Sequence, residues 1–431
     1  MKQEIEIQSG SSDVKESVNL RAKRAIQQLQ RYGLVGLTFM SFFPFLFHYQ
    51  EYAFFALLAA GLSLCWIDRS NPLVRTPIDI PLLGFIGWVL CTVPFAIDPA
   101  YSFSEWRKFV AHVLIFYWAT FVLRHYDEDR KLTRQVVWAV ILGSLALSGY
   151  ALEDFISRGG TWRDRLVRAG APTSDYNWLT TYLVLVLPIL IAWVFIRQSV
   201  RMRMLGLVTL LAVVLAQVAA YTRAGWVAHI VQAISLGIVT GRKRLIIGIF
   251  LGAIVMGAAV VKLSKIGYQQ ETMDPWTLQA RVKTWKLGLN DLIEHPLVGV
   301  GYGNYTFFKM HTAEIEAEKH KTAEEKVLPG LHSTFAIILV GSGVPALCFI
   351  VWTMVRTIRE LMGGIRALDL REAGILLLPP AIALSVIGFM VRNAFDYMFA
   401  GTLASLFWIL VAAGLSIKAR TQDVSKEVSD I

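Results

Sequence analysis

The sequence predicts an all-α polytopic membrane protein with about twelve transmembrane helices and one long external segment between helices 9 and 10. Three observations predict this fold. Of the 431 residues, 55% are hydrophobic and only 17% are charged, whereas about a quarter of the residues in a soluble protein are charged. The mean hydropathy is +0.51. The apolar residues also form long blocks, and a helix needs roughly 17–25 such residues to cross a bilayer.

The predicted spans are apolar blocks bounded by charged or turn residues. They cover residues 33–48, 52–67, 80–96, 109–123, 135–153, 178–196, 204–221, 224–240, 245–262, 331–355, 374–391 and 398–417. The chain therefore divides into a cytoplasmic N-terminal segment, transmembrane helices 1–9, an external segment, transmembrane helices 10–12 and a cytoplasmic tail, at residues 1–32, 33–262, 263–330, 331–417 and 418–431. Pro379 and Pro380 fall inside the eleventh block, where a kink is expected.

The orientation follows from the basic residues. Lysine and arginine are concentrated in alternate short loops, such as the one containing Arg242, Lys243 and Arg244, and loops of this kind stay on the cytoplasmic side. Both termini are then cytoplasmic. These loops account for the formal net charge of +10, so membrane lipids are predicted partners and nucleic acid is not. The three cysteines fall inside apolar blocks without metal-ligand spacing.

Several arginines nevertheless lie on the external face, where the same rule predicts few of them. In chain order they are Arg158, Arg163, Arg165, Arg168, Arg223, Arg281 and Arg392. An anionic ligand on that face would account for them. Some could instead pair with Asp164 or Asp175. Among these arginines, Arg163, Arg165, Arg168 and Arg392 are possible substrate contacts. Asn177, in the same loop as the first three, is another.

Arg223 lies between two spans joined by almost no loop, at the expected depth of lipid headgroups. Its guanidinium could hold phosphate oxygens through two parallel hydrogen bonds. The alternative is a side chain that extends to the interface because its charge avoids hydrocarbon. Arg281 begins a stretch whose apolar spacing, at Val282, Trp285 and Leu289, predicts an amphipathic helix at the membrane surface.

A run rich in proline and glycine, from Pro296 to Gly303, follows that helix. Such a loop can bring backbone N–H groups close to a ligand. A plain helix cap and turn explains the same residues equally well. The glycines do not follow a predicted strand, so a dinucleotide-binding loop is excluded.

His332 and Ser333 lie at the external mouth of the tenth predicted span. Ionisable groups at that depth are costly and usually face a cavity, and a neutral imidazole can accept a proton near pH 7. His332 is therefore a candidate general base, with an interfacial histidine bonded to a carbonyl or to water as the alternative. Asp175 and Asp396 are the candidates for a carboxylate partner. No metal-binding motif is present, so neither a metal nor another cofactor is expected.

These motifs resemble those of the O-antigen ligase / O-antigen polymerase superfamily of bacterial inner-membrane enzymes. The resemblance covers roughly residues 160–350. It rests on the ordered set of Arg223-Ala-Gly225-Trp226, of Arg281 and Trp285 ahead of His295-Pro296-Leu-Val-Gly299-Val-Gly301-Tyr-Gly303-Asn304-Tyr305, and of His332-Ser333. Members of that family often have an acidic residue near a glycine pair in the helix after the histidine. Gly341-Ser342-Gly343 stands there in this chain, so no catalytic carboxylate is assigned to that stretch.

The resemblance implies a multi-pass, GT-C-like glycosyltransferase of the bacterial inner membrane, with its active site facing the periplasm. Such an enzyme takes a glycan from undecaprenyl diphosphate and joins it to a hydroxyl of lipid A–core, without a metal or a nucleotide sugar. Arg223 and Arg281 would hold the diphosphate and His332 would activate the acceptor. In-line attack then predicts inversion at the anomeric carbon.

Two further enzymes of the superfamily share this skeleton, an O-antigen polymerase and a protein O-oligosaccharyltransferase. The short tail after residue 417 argues against the second, and the position of His332 directly after the long segment favours a ligase over a polymerase. A transporter is the alternative from a different class. Transporters tend to show paired repeats and charges near the membrane midplane, whereas the unusual charges of this chain gather at one face.

Overall fold

The computed structural model describes residues 2–161, 167–196, 198–241, 275–317, 327–365 and 373–429, and within these ranges every regular element is helical. The first eight α-helices are α1 Lys2–Met40, α2 Phe47–Ile67, α3 Asp79–Thr92, α4 Pro99–Tyr126, α5 Lys131–Ser157, α6 Tyr176–Phe195, α7 Val200–Ala219 and α8 Arg223–Thr240. The others are α9 Pro275–Glu294, α10 Asn304–Met310, α11 Thr312–Ala317, α12 Thr334–Met362, α13 Leu378–Phe395 and α14 Gly401–Ser429.

Eight helical stretches in the described part of the chain are long and apolar enough to cross a membrane. They are Pro44–Ile67, Pro99–Tyr126, Lys131–Ser157, Tyr176–Phe195, Val200–Ala219, Thr334–Met362, Gly374–Phe395 and Gly401–Gln422, and Asp79–Phe95 is a shorter apolar stretch. The predicted all-α polytopic membrane fold is confirmed. The predicted span at 245–262 lies outside the described residues, and the total of twelve spans remains a prediction, as do the segment boundaries.

One local expectation was wrong. The predicted span 33–48 is not one helix, because α1 ends at Met40 and a 3-10 turn begins at Pro44. Proline has no N–H to donate, which suits it to the first turn of a helix and not to the interior. In the eleventh span a 3-10 turn over Gly374–Leu377 meets α13 directly before Pro379 and Pro380, which lie in its first turn, and the expected kink there stays a prediction.

The core of the bundle is built around α13 and α14. Helix α13 packs against α6, α8 and α12, and α14 packs along α4. Aromatic rings fill the contact between these helices: the centroids of Phe389 and Phe407 are 4.6 Å apart, and those of Phe399 and Phe407 are 5.1 Å apart. Close packing of this kind holds membrane helices together, because lipid tails are as apolar as the side chains that they would replace.

Helix α12 is broken at Gly343, whose φ of 78° is non-helical. The break leaves carbonyl groups without helical partners, and the loop after α9 supplies donors. The N–H groups of Val300 and Gly301 donate to the carbonyls of Val340 and Gly341 at 3.0 and 2.8 Å, and Val344 N–H donates back to the Pro296 carbonyl at 3.0 Å. The two backbones lie in direct contact.

This contact explains the glycines of residues 299–303. A Cβ atom on Gly299 would lie 2.4 Å from the backbone of Gly341, and one on Gly343 would lie 2.0 Å from the Leu297 carbonyl oxygen. Because the Val300 and Gly301 donors are already used, the loop serves here as a structural joint, in agreement with the interpretation of these residues as a cap and turn.

We expect Gly343→Ala to destabilise the protein by about 1–3 kcal/mol, since alanine must adopt a left-handed backbone and displace the Leu297 carbonyl. The measurement is the unfolding temperature of the purified protein in detergent. Gly36→Ala is the matched control, because a Cβ there meets nothing within 4 Å. Equal unfolding temperatures for the two variants would contradict the proposed joint.

Candidate functional site

The predicted site residues that the structure describes lie at one end of the bundle, which is the end predicted to be external. Helices α6, α8 and α12 begin there and α13 ends there. The hydroxyls of Thr180 and Thr222 are 2.6 Å apart and join α6 to α8. Thr334 N–H donates to the Asp396 carbonyl at 3.3 Å and joins α12 to the end of α13. The starts of three helices thus direct the positive ends of their dipoles toward a common region.

Asp396 is the point at which three cationic or titratable groups meet. Its Oδ1 atom lies 3.7 Å from Arg281 Nη2 and 3.7 Å from His332 Nδ1. Its Oδ2 atom accepts a hydrogen bond from Arg392 Nη2 at 3.5 Å. The carboxylate side chain is only 11% exposed. A buried anion needs such partners, and here they come from three separate segments of the chain.

Arg392 is fully enclosed, with its side chain 0% exposed. It donates from Nε to the Thr181 hydroxyl at 3.1 Å and from Nη2 to the Asn177 carbonyl at 3.3 Å. Two of the predicted substrate contacts, Arg392 and Asn177, therefore bind each other. Asp175 accepts hydrogen bonds from the N–H groups of Asn177 and Trp178 and caps α6, so of the two candidate carboxylates Asp396 is the one beside His332.

His332 is held in a strained backbone conformation with φ of 45°, a region that residues other than glycine rarely occupy. The flanking residues are fixed. Trp285 Nε1 donates to the Leu331 carbonyl at 2.8 Å, and the Thr334 hydroxyl donates to Asn393 Oδ1 at 2.6 Å. The imidazole directs Nδ1 toward Asp396 and is 37% exposed, so Nε2 is left to meet a substrate.

Arg281 extends from α9 toward the end of α13. Its Nη1 atom donates to the Phe395 carbonyl at 2.7 Å, and its Nε atom is buried with no hydrogen-bond partner among the described residues. Two contacts attach the segment that follows α9 to this helix. Thr284 Oγ1 accepts from Leu328 N–H at 2.9 Å, and Asp291 Oδ2 lies 2.9 Å from His311 Nε2.

Arg223 is the first residue of α8 and is exposed, and it has no polar partner among the residues that the structure describes. A guanidinium at the positive end of a helix is unfavourable unless an anion is present. Tyr221, two residues earlier, has a φ of 46°. Arg223 makes no contact with Asp396. Its link to the cluster is the bond from Thr222 to Thr180, beside the residue that binds Arg392.

The remaining predicted contacts lie in the loop before α6. The Arg168 guanidinium lies 4.6 Å from the centre of the Tyr176 ring, and the Arg168 carbonyl accepts from Arg158 Nη2 at 2.6 Å. Arg163 and Arg165 lie outside the described residues. In the described ranges no three His, Cys, Asp or Glu side chains are grouped so as to hold a metal ion.

Residues 209–351 match the family model described as O-antigen ligase. This segment is similar to that family. It contains Arg223, Arg281 and His332, whereas Arg392 and Asp396 follow it in the chain. No curated protein matches the chain.

Two residues that the sequence did not single out complete the cluster around Asp396. Asn393 fixes the start of α12, and Thr181 holds Arg392. Arg392 and Asp396 are four residues apart at the end of a predicted span. This spacing is the one local signal that could have identified them as an interacting pair. No motif identifies Asn393 or Thr181, because each is an uncharged polar residue in a largely apolar helix.

The contact between His311 and Asp291 predicts a pH-dependent attachment of α9 to the segment that follows it. The hydrogen bond to Asp291 raises the pKa of His311 above its ordinary value of 6.5. The stabilisation is therefore complete below about pH 6.5 and is lost as the pH rises through the raised pKa of the folded protein. We expect the unfolding temperature in detergent to fall over that interval and His311→Gln to abolish this part of the pH dependence. The exposed His295, replaced by glutamine, is the control; the same loss in that variant would refute the assignment.

Proposed function

We propose that this protein is an inverting, metal-independent glycosyltransferase that joins O-antigen glycan from undecaprenyl diphosphate to lipid A–core at the periplasmic face of the bacterial inner membrane. The observation that carries the proposal is that Arg281 and His332, which the resemblance pairs as diphosphate ligand and base, both lie 3.7 Å from the Asp396 carboxylate. The match of residues 209–351 to the O-antigen ligase model supports the same assignment.

The donor diphosphate is assigned to Arg223 and Arg281. Arg223 is exposed at the start of α8, where the helix dipole also favours an anion. Arg281 has a buried Nε atom without a partner and is 22% exposed. When the bond between the anomeric carbon and the diphosphate oxygen breaks, negative charge develops on that oxygen. Fixed guanidinium groups in a site partly closed to water stabilise such charge without reorganising.

The acceptor hydroxyl is assigned to His332. Its Nε2 atom takes the proton of the hydroxyl while the hydroxyl oxygen attacks the anomeric carbon, and the electron pair of the broken bond leaves with the diphosphate. Asp396, beside Nδ1, orients the ring and stabilises the imidazolium that forms, in the manner of the carboxylate of a catalytic triad. Attack opposite the leaving group inverts the anomeric configuration.

Arg392 is assigned a positioning role. Being fully enclosed, it contacts Asp396 and Asn177 instead of the substrate, and it balances the charge of the carboxylate that His332 and Arg281 share. Two cations on one buried anion leave net positive charge for the diphosphate.

The test of the proposed function is transfer in vitro with purified protein, glycan on undecaprenyl diphosphate and lipid A–core, scored as a shift of lipid A–core on a gel. We expect glycan on lipid A–core with inverted configuration, in detergent and without a membrane gradient. Longer glycan on the carrier and none on lipid A–core would identify a polymerase. Retained configuration would overturn direct displacement, and activity only across a sealed membrane would favour a transporter.

Separate alanine substitutions of Arg223, Arg281 and His332 test the site. We expect each variant to reach the membrane folded. Loss of the base should lower the rate by about 10²- to 10⁴-fold, and loss of either arginine should lower it severely because charge on the leaving diphosphate is then uncompensated. Arg201→Ala, at the opposite end of the bundle, is the control for charge removal. Near-normal transfer by all three variants would remove the assignment.

A double substitution separates stability from chemistry at Asp396. Asp396→Asn leaves the buried Arg392 without its anion, and breaking such a pair costs about 3–5 kcal/mol. Combining it with Arg392→Gln removes both charges, so the unfolding temperature should recover in part. Transfer should stay lost in the double variant because His332 and Arg281 still lack the carboxylate. If transfer recovered together with stability, Asp396 would have no role beyond folding.

A further inference from the structure

A cavity of about 390 Å³ lies beside the cluster at Asp396. Its walls are the first turns of α4, the loop that joins α9 to α10, and the segment that joins α13 to α14. The last of these, residues 396–401, belongs to both sites: Asp396 faces His332 and the arginines, while Tyr397 and the residues from Phe399 to Gly401 line the cavity. Pro329, three residues before His332, also lines it.

The polar groups on the described walls of the cavity include the Glu105 carboxylate and several tyrosine hydroxyls, with Lys108, His112 and Asn304 beside them. Glu105 is 12% exposed, and among the described residues its one polar partner is Lys108 Nζ at 2.6 Å. The hydroxyl of Tyr101 accepts from Tyr305 N–H at 3.1 Å. Burial, together with the negative charge of Glu105, raises the pKa of Tyr302 and of Tyr397, so both phenols keep their protons and can donate.

This combination favours a neutral polyhydroxylated ligand. Glu105 can accept from two hydroxyls, phenols can both donate and accept, and aromatic faces cover the apolar C–H face of a sugar ring. A diphosphate is disfavoured, because the one cation on the walls, Lys108, is already paired with Glu105. The volume lies in the range of small-molecule sites, about 300–1,000 Å³.

We propose that this cavity binds a sugar ring of the acceptor saccharide, with Glu105 and Tyr302 as its hydrogen-bonding residues. The inference rests on the proposed function and adds to it the place of the acceptor. Direct displacement requires the attacking hydroxyl and the leaving diphosphate on opposite sides of the anomeric carbon. Arg392 contacts α6 and Arg223 begins α8, whereas α4 forms a wall of the cavity. In this proposal an acceptor seated in the cavity therefore approaches His332 from the side away from those two arginines.

The experiment measures initial transfer rates of the full chain in detergent, with lipid A–core varied at saturating donor and then the donor varied at saturating lipid A–core. We expect Glu105→Gln to raise the half-saturating concentration of lipid A–core about tenfold, the loss of one hydrogen bond to a charged group, and Tyr302→Phe to raise it severalfold. The half-saturating donor concentration should not change.

Two controls match these substitutions. Glu294→Gln removes an exposed carboxylate at the end of α9, and Tyr150→Phe removes an exposed hydroxyl on α5. Both should leave the two half-saturating concentrations unaltered. Unfolding temperatures of all four variants, compared with that of the parent protein, show whether a lower rate reflects lost folding. A variant that fails to fold is replaced by Tyr397→Phe, which removes a second hydroxyl of the same cavity.

A second readout does not depend on transfer. The delipidated core oligosaccharide is titrated into the detergent-solubilised protein by calorimetry, and binding should weaken about tenfold in Glu105→Gln. If the parent protein binds the oligosaccharide but transfers nothing, the proposed function fails and the saccharide site stands. If transfer occurs but the cavity variants change neither the half-saturating lipid A–core concentration nor oligosaccharide binding, the cavity assignment is overturned. A change in the half-saturating donor concentration alone overturns the cavity assignment as well.

Discussion

The architecture of the site depends on a backbone joint between two glycine-containing segments. Within a membrane protein, carbonyl groups exposed by a broken helix must find donors inside the protein. The break at Gly343 opens α12, and the loop after α9 meets it through Val300 and Gly301. This joint holds the C-terminal end of α9, the helix that carries Arg281. It also places Tyr302 at the cavity. Only glycines allow the approach, since a Cβ at Gly299 or Gly343 would overlap the opposing backbone.

The joint positions the helix that carries Arg281. The Asp396 carboxylate then lowers the electrostatic cost of holding the cationic groups close together. Arg392 is buried, Arg281 is mostly buried, and His332 borders both. Buried like charges repel strongly, and a shared carboxylate reduces that cost. One anion among several cationic groups leaves a positive surplus, which suits the proposed binding of a diphosphate. The strained φ of His332 shows that the surrounding contacts fix this residue against its local preference.

The proposed reaction needs two different environments a short distance apart, and residues 396–401 connect them. The region around Arg281 and Arg223 is cationic, as a leaving diphosphate requires. The cavity at Glu105 and Tyr302 is aromatic and close to neutral, as a sugar ring requires. His332 lies between the two. In the proposed reaction the diphosphate and the sugar hydroxyls bind to separate surfaces, and both substrates share the His332 imidazole.

The sequence by itself determined the membrane character and most helix positions, because hydropathy blocks are local signals. It also singled out Arg223, Arg281 and His332 as candidates. It did not determine where prolines would end or start helices, as the turn at Pro44 shows. It also left Asp175 and Asp396 equivalent. Only the tertiary structure decided between them, making Asp175 a helix cap and Asp396 the neighbour of His332. The cavity at Glu105 had no local signal at all, because its walls come from segments about two hundred and three hundred residues apart in the chain, and contacts at such separations are set by packing and not by periodicity.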